Sequence, residues 1–379
     1  MRQKAGLLAA LALVAAPAAA QEPAQQGRIW KGTLGDAAIT ACFVDEAAFD
    51  GVYYLDTGLE PIRLAQLEGT DPPELAEMRG YDDASGATWT LRSTEDSIAG
   101  ERTADAVVLP IRLTAVLVAL PKYGSACETD AFLEPMLAGG TVTTKRESFE
   151  GNGYTALAYQ GPKRAGIEDY AVSSFALDPV RPGDAAVNRA LAKALPDGTA
   201  AHVMGQCVGL SLPGGIGGSM DEAWVPTMIT ARWLGIRRSG SDYCGGAHPN
   251  NSLTLVVYDR DSGAEVDPST WFKPGALVFY DWESEVDPKP AKRPIAGLSQ
   301  ALAKALRAKW PARGDEDECG LPDELEGFGW DIGLTREGPV FVPQLPHVMF
   351  ACTEEVAMPW KEARPFLSAE GRAVMASLR

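Results

Sequence analysis

The chain has 379 residues, 46% of them hydrophobic and 22% charged, a composition that excludes intrinsic disorder. Its 51 acidic residues outnumber 34 Lys and Arg, for a formal net charge of −17. A surface of that sign excludes nucleic acid and anionic membrane as partners, because both are gripped through basic patches, and it favours solubility and cationic partners.

The N-terminus, "MRQKAGLLAALALVAAPAAAQEPAQQ", sets Arg2 and Lys4 before an apolar run from Leu7 to Ala16 and small residues at Ala18, Ala19 and Ala20. That order predicts a secretory signal peptide over residues 1–20, cleaved near Ala20. The run is too short to span a bilayer, which takes roughly 20 apolar residues. Charged residues or prolines interrupt every later apolar stretch, so no membrane span is expected and the mature chain is assigned to the periplasm or the exterior. With Arg2 and Lys4 removed, 32 basic residues face 51 acidic ones, a net charge of −19 on 359 residues. That length suits two domains.

After a linker over 21–27, an all-β meander domain, a small barrel or a sandwich, is expected over 28–138. Its strands are "RIWKGTL", "AAITACFV", "GVYYLD", "EPIRLAQL", "ATWTLRS", "SIAGER" and "VVLPIRLT", with turn residues such as Asp50-Gly51, Asp56-Thr57-Gly58 and Ala84-Ser85-Gly86 between them. In "EPIRLAQL" the period of two sets Ile62, Leu64 and Gln66 on one face and Arg63 and Ala65 on the other.

Over 139–379 the pattern changes to an α+β domain, an antiparallel sheet with a few helices. Strands "GTVTTKRESFE", "GYTALAYQG" and "DYAVSSFALD" precede a helix with Asp184 as N-cap and Val187, Leu191 and Leu195 one turn apart, stopped by Pro196 and Gly198. "WVPTMITARWLGIRR", "NSLTLVVYD", "GPVFVPQL" and "EEVAMPW" are further strands. A second helix is expected from Pro294 to Pro311, with Ile295, Leu298, Leu302, Leu306 and Trp310 on one face, and a short one over 369–377. The acidic run "GDEDECG" from Gly314 to Gly320 is a solvated loop.

Six cysteines in an oxidising compartment imply disulfides, with 15 possible connectivities. Nearness in sequence and the domain division favour Cys42 with Cys127, Cys207 with Cys244, and Cys319 with Cys352. No C-x-x-C pair points to a zinc knuckle or a redox site.

Catalytic motifs are sparse. Ser211 in "VGLSLPGG", read as a strand end, and Ser219 in "IGGSMDE" miss the G-x-S-x-G pattern of a strained nucleophile turn. Gly214, Gly215, Gly217 and Gly218 fit neither a dinucleotide fingerprint nor a phosphate loop and read as a flexible connection. His202, His248 and His347 lie far apart with no H-E-x-x-H, so no metal is expected. "YDRDSGAEVD" breaks the EF-hand order, and a turn with a glycine bulge explains it more simply. No cofactor is implied, and the sequence leaves enzyme activity undecided.

The segment "SDYCGGAHPNNS", Ser241 to Ser252, is the most distinctive. Tyr243, Gly245, Gly246, Ala247, His248 and Pro249, then the turn Asp259, Ser262 and Gly263, then "STWF", resemble the extracytoplasmic domain of unknown function found in lysozyme-sensing anti-sigma factors of the RsiV type and in some exported polysaccharide deacetylases. "FALDPVRPGDAAVNRAL" upstream and "GLTREGPVFVPQLPHV" with "EVAMPWKEARPFL" downstream are similar to that family's flanking regions, so the resemblance covers about 165–367. The sequence carries no transmembrane segment, anti-sigma region or deacetylase domain, so the resemblance implies a fold and a binding role. The expected ligand is a cationic envelope protein such as lysozyme, or a peptidoglycan component, with Tyr243, Gly245, Gly246, His248 and Asn250 as binding residues. Two alternatives stand beside it: an envelope hydrolase with His248 oriented by Asp242, and a structural or assembly module.

Overall fold

The computed structural model describes residues 25–45, 50–67, 69–70, 74–79, 83–164, 166–167, 169–215, 217–280, 295–310 and 327–378. The expected signal peptide, the "GDEDECG" loop, Pro294, Pro311 and Cys319 lie outside them.

Strands β1 (Gln26–Leu34), β2 (Ala37–Asp45), β3 (Asp50–Leu55), β4 (Pro61–Gln66), β5 (Glu74–Met78), β6 (Ala84–Ser93), β7 (Ser97–Ala104) and β8 (Val107–Ala119) form a closed antiparallel barrel. Each pairs with the next, and β8 returns to β1 with Ile29 opposite Val116. The strand period of two explains the sequence directly. Trp30, Ala41, Phe43 and Tyr53 point into the lumen with Leu64, Trp89, Leu91 and Ile111. Their neighbours Ile29, Cys42, Val52 and Tyr54 are buried too, in a different core.

That second core exists because helices cover the outer wall of β1–β3. α1 (Asp130–Leu137) brings Phe132, Leu133, Met136 and Leu137, and α3 (Val203–Ser211), which follows α2 (Asp184–Ala192), brings Met204 and Val208. Tyr54 Oη donates to the Phe132 carbonyl at 3.0 Å, and the Cys42–Cys127 disulfide ties β2 to the turn before α1. Burying each large side chain here stabilises by about 1.5–3 kcal/mol. The same core takes in Tyr159, Ile167 and Tyr170, beyond residue 138.

Seven strands follow in one sheet: β9 (Thr141–Phe149), β10 (Asn152–Gln160), β11 (Tyr170–Leu177), β12 (Ser219–Ile229), β13 (Trp233–Tyr243), β14 (Asn250–Asp259) and β15 (Ala264–Val266), in spatial order β15 to β9. All neighbours are antiparallel except β11 and β12, which are parallel because α2 and α3 lie in the crossover between them. α2 packs Val187 and Leu191 on one face of this sheet, against Phe175, Leu234, Ile236 and Tyr258. A five-stranded sheet covers the other: β16 (Leu277–Tyr280), β17 (Ile295–Leu298), β18 (Gly329–Leu334), β19 (Pro339–Gln344) and β20 (Val356–Ala357). Val340 and Val342 of β19 meet Leu253 and Leu255 of β14. α4 (Gln300–Arg307), α5 (Trp360–Ala363) and α6 (Ala369–Ser377) complete the chain.

The architecture is the expected one, an all-β unit followed by an α+β unit, and the meander is a barrel. Several local expectations are corrected. "WVPTMITARWLGIRR" is not one strand: Thr230 accepts the Trp233 amide and turns β12 into β13. The helix expected from Pro294 begins only at Gln300, with Ser299 as N-cap accepting from the Leu302 amide at 3.3 Å; Ile295 and Leu298 belong to β17. Gly183, not Asp184, is the N-cap of α2, and Asp184 sits just inside, accepting from the Val180 and Arg181 amides. Its carboxylate is fully buried and paired with the buried Arg260 through two bonds of 2.8 Å. Ser211 ends α3 rather than a strand.

Candidate functional site

The GGAHP segment is the loop joining β13 to β14, two strands within the sheet rather than at its edge. The Cys207–Cys244 disulfide fixes its base to α3. Gly245 has φ +91°, and a Cβ there would also press on Leu210 and Ser211 at 3.2 and 3.1 Å; glycine is required by both conformation and contact. Tyr243 Oη closes the loop by donating to the Gly246 carbonyl at 2.8 Å. Asn250 opens β14 opposite Asp242.

His248 stands exposed, with Nδ1 3.2 Å from its own Pro249 carbonyl. Its ring stacks on His347, centroids 3.9 Å apart and planes 15° from parallel. Two histidines 99 positions apart in sequence are thus brought together, while His202 caps α3 through Nδ1, 3.1 Å from the Met204 amide. Among the described residues no three His, Cys, Asp or Glu side chains gather as a metal site. Asp242 is directed elsewhere, its carboxylate 3.7 Å from Cys244 Sγ and close enough to Tyr170 to act on its hydroxyl electrostatically. Burial chiefly, and the Asp242 charge in addition, push Tyr170 up to about 12 against the Ser211 hydrogen bond. The structure therefore sets His248 and Asp242 on different partners.

A cavity of about 500 Å3 opens beside this loop. Its floor is the sheet face that carries Asp221 of β12, Arg237, Ser239 and Ser241 of β13, and Leu253 of β14, with Ser252 lining it from the next position of β14. Its roof is formed by Phe350 of the 3-10 turn His347–Cys352 and by Thr353 and Glu355 just beyond that turn. Floor and roof are joined twice: Arg237 Nη1 lies 3.1 Å from Glu355 Oε1, and the His248–His347 stack links the hairpin loop to the start of the turn. Cys352 of the roof is disulfide-bonded; its expected partner lies outside the described residues. Arg237 Nε and Thr353 Oγ1 are buried in the lining with no hydrogen-bond partner among the described residues. An unmade bond of this kind costs about 1–3 kcal/mol, so the cavity wall holds polar capacity that these residues do not use among themselves.

Apart from Ser241 and Ser252, which bound the GGAHP segment, these cavity residues do not stand out in the sequence. The available signal is polarity at alternate positions of a central strand: Arg237, Ser239 and Ser241 share one face of β13, where apolar residues would be the default. The carboxylates of "YDRDSGAEVD" do not converge. Asp259 pairs with Arg232, Asp261 with Arg181, and Asp267 caps the turn Pro268–Trp271. Gly263, at φ +74°, makes the expected glycine turn between β14 and β15.

No family model matches the chain, and no curated protein does. Its structural neighbours are proteins of the DUF3298 family, a domain of unknown function. One from Pseudomonas aeruginosa is 12% identical with a TM-score of 0.31, over 60% of this chain and 95% of that one. Another, from Bacteroides fragilis, is 11% identical with a TM-score of 0.36, over 64% of this chain and 98% of its own.

Proposed function

We propose that the chain is an exported, non-enzymatic binding protein of the cell envelope that holds a glycan component of peptidoglycan in the cavity between β12–β14 and the turn His347–Cys352. Unused hydrogen-bonding capacity at Arg237 Nε and Thr353 Oγ1, in a concave wall already rich in hydroxyls, carries this reading. Serine and threonine hydroxyls both donate and accept, and carboxylates accept, which is what sugar hydroxyls require. Phe350 and Leu253 offer the apolar surface that a sugar's C–H face needs. Two disulfides between described residues, the disulfide-bonded Cys352, and the lack of any helix long and apolar enough to cross a membrane among the described residues support export. The loop residues Tyr243, Gly245, Gly246, His248 and Asn250 form the lip, with His248 a packing contact to His347 rather than a base.

Cosedimentation with purified peptidoglycan and titration with a neutral N-acetylglucosamine oligomer test this reading. Ser241→Trp, at an exposed position on the floor, fills the cavity and is expected to abolish both while leaving the thermal midpoint unchanged. Absence of binding by the wild type overturns the proposal. Enrichment of lysozyme that survives Ser241→Trp and disappears with added salt supports the cationic-protein partner in its place. Glycan or ester hydrolysis lost in His248→Ala supports the hydrolase.

A further inference from the structure

The barrel has a cavity of its own, lined by none of the residues of the first. It measures about 600 Å3, within the range of small-molecule sites. Arg63 of β4, with Glu77 of β5 and the following Arg79, forms one wall; Gly166, Gly215 and Gly217, from the segments before β11 and after α3, form the other.

Glu77 is the informative residue. Its side chain is only 4% exposed, yet it lines the cavity. Oε1 accepts from Tyr53 Oη at 2.7 Å, Trp89 Nε1 at 2.7 Å and Arg102 Nε at 2.6 Å, whereas Oε2 accepts only from Arg102 Nη2, at 2.9 Å, among the described residues. Oε1 is saturated and Oε2 has acceptor capacity left. An apolar residue fills an eight-stranded lumen without the desolvation that a carboxylate incurs. The β5–β6 register shifts between Ala76 and Met78, so Glu77 sits at a bulge, the irregularity that re-aims a side chain next to a site. Opposite it, Gly166 and Gly215 hold φ of +80° and +68°, conformations that keep side chains out of the space. At the rim, the Arg79 guanidinium makes a long hydrogen bond, 3.5 Å to the Ser85 carbonyl, and Glu60 stands close by.

We infer that the mouth of the barrel binds a small zwitterion, an amino acid or a short peptide, with its carboxylate on the Arg79 and Arg63 guanidinium groups and its ammonium on Glu77 Oε2 and Glu60. A guanidinium fork matches a carboxylate in two parallel bonds, and the two signs of charge at the mouth match the two ends of one ligand.

Thermal unfolding and tryptophan fluorescence of the mature chain test this with L-alanine, D-alanine, glycylglycine and D-alanyl-D-alanine, against acetate and methylammonium. At least one zwitterion is expected to raise the midpoint saturably and to shift the emission of Trp89, whose indole N–H shares the Glu77 carboxylate; Trp89→Phe removes that signal. Gly217→Leu projects into the cavity where a new Cβ meets nothing closer than 3.9 Å, and it is expected to abolish binding without lowering the midpoint. Arg79→Ala, on the rim, weakens binding by about tenfold. Zwitterions acting no better than acetate and methylammonium up to about 10 mM overturn the assignment, as does unchanged affinity in both variants.

Discussion

Two buried carboxylates show how single residues hold this fold. Asp184 and Arg260 are both buried and satisfy each other in two parallel bonds. Asp184→Ala strands the guanidinium and is expected to destabilise by about 3–5 kcal/mol, read from the urea midpoint. Glu77 gives a pH signature. Burial alone would raise its carboxyl, but the Arg102 hydrogen bonds, with those of Trp89 and Tyr53, outweigh it and hold the group below its ordinary value. A depressed folded-state value contributes stability that is complete above the unfolded value, about 4.3, and is lost as pH falls through the folded one. Wild type should therefore lose stability below about pH 4.3 more steeply than Glu77→Gln, which starts lower at neutral pH. Parallel slopes in urea titrations at several pH values would sink this account. Tyr53 moves the same way as any phenol beside a carboxylate: burial first, then Glu77, push it far above its usual value.

β4 and β6–β8 keep one face wet and announce themselves by alternation, whereas β1–β3, buried on both faces, are marked only by the turn residues between them. α6 spans 369–377 as its pattern implies. α3 is hidden because Met204, Gly205, Cys207, Val208 and Ser211 are buried around most of its circumference, leaving no amphipathic stripe. α1 carries Pro135 inside eight residues, and β5 is "ELAEM", weak in strand propensity. Ile295, Leu298, Leu302 and Leu306 keep helical spacing across the Ser299 cap, which is why β17 reads as helix in the sequence. Gly218, expected in a flexible connection, is tightly packed: a Cβ there would collide with Tyr170 Oη and Ser211 Oγ. Gly218→Ala should therefore cost about 1–3 kcal/mol in denaturant. The GGAHP loop is legible as a motif, but its cavity is not, since Thr353 and Glu355 reach it only through the five-stranded sheet. The Cys207–Cys244 bridge closes a separation of 37 residues, so loop-closure entropy gives it about 4 kcal/mol. Replacing both cysteines with alanine should lower the denaturation midpoint accordingly and speed amide exchange in the loop at 244–249, while exchange in the barrel stays slow.

At the scale of the whole molecule, charge and cavities make opposite demands that one experiment separates. The mature chain's expected net charge of −19 attracts any cationic protein, with an encounter rate that falls steeply as salt shortens the Debye length from about 14 Å at 0.05 M to about 4 Å at 0.5 M. A neutral glycan in the hydroxyl-lined cavity feels no such field. Its affinity should change less than about twofold over the same range, because hydrogen bonds and apolar contact are little screened. The two cavities share no lining residue, so their ligands should also act independently, as distant sites do. Gly217→Leu is expected to leave the N-acetylglucosamine oligomer bound as in wild type, and Ser241→Trp to leave the zwitterion site intact. Calorimetric titration of both ligands on both variants, at low and high salt, checks each part. Loss of both ligands in either variant would mean that the barrel and the sheet communicate through the core they share around Tyr54, Phe132 and Tyr170.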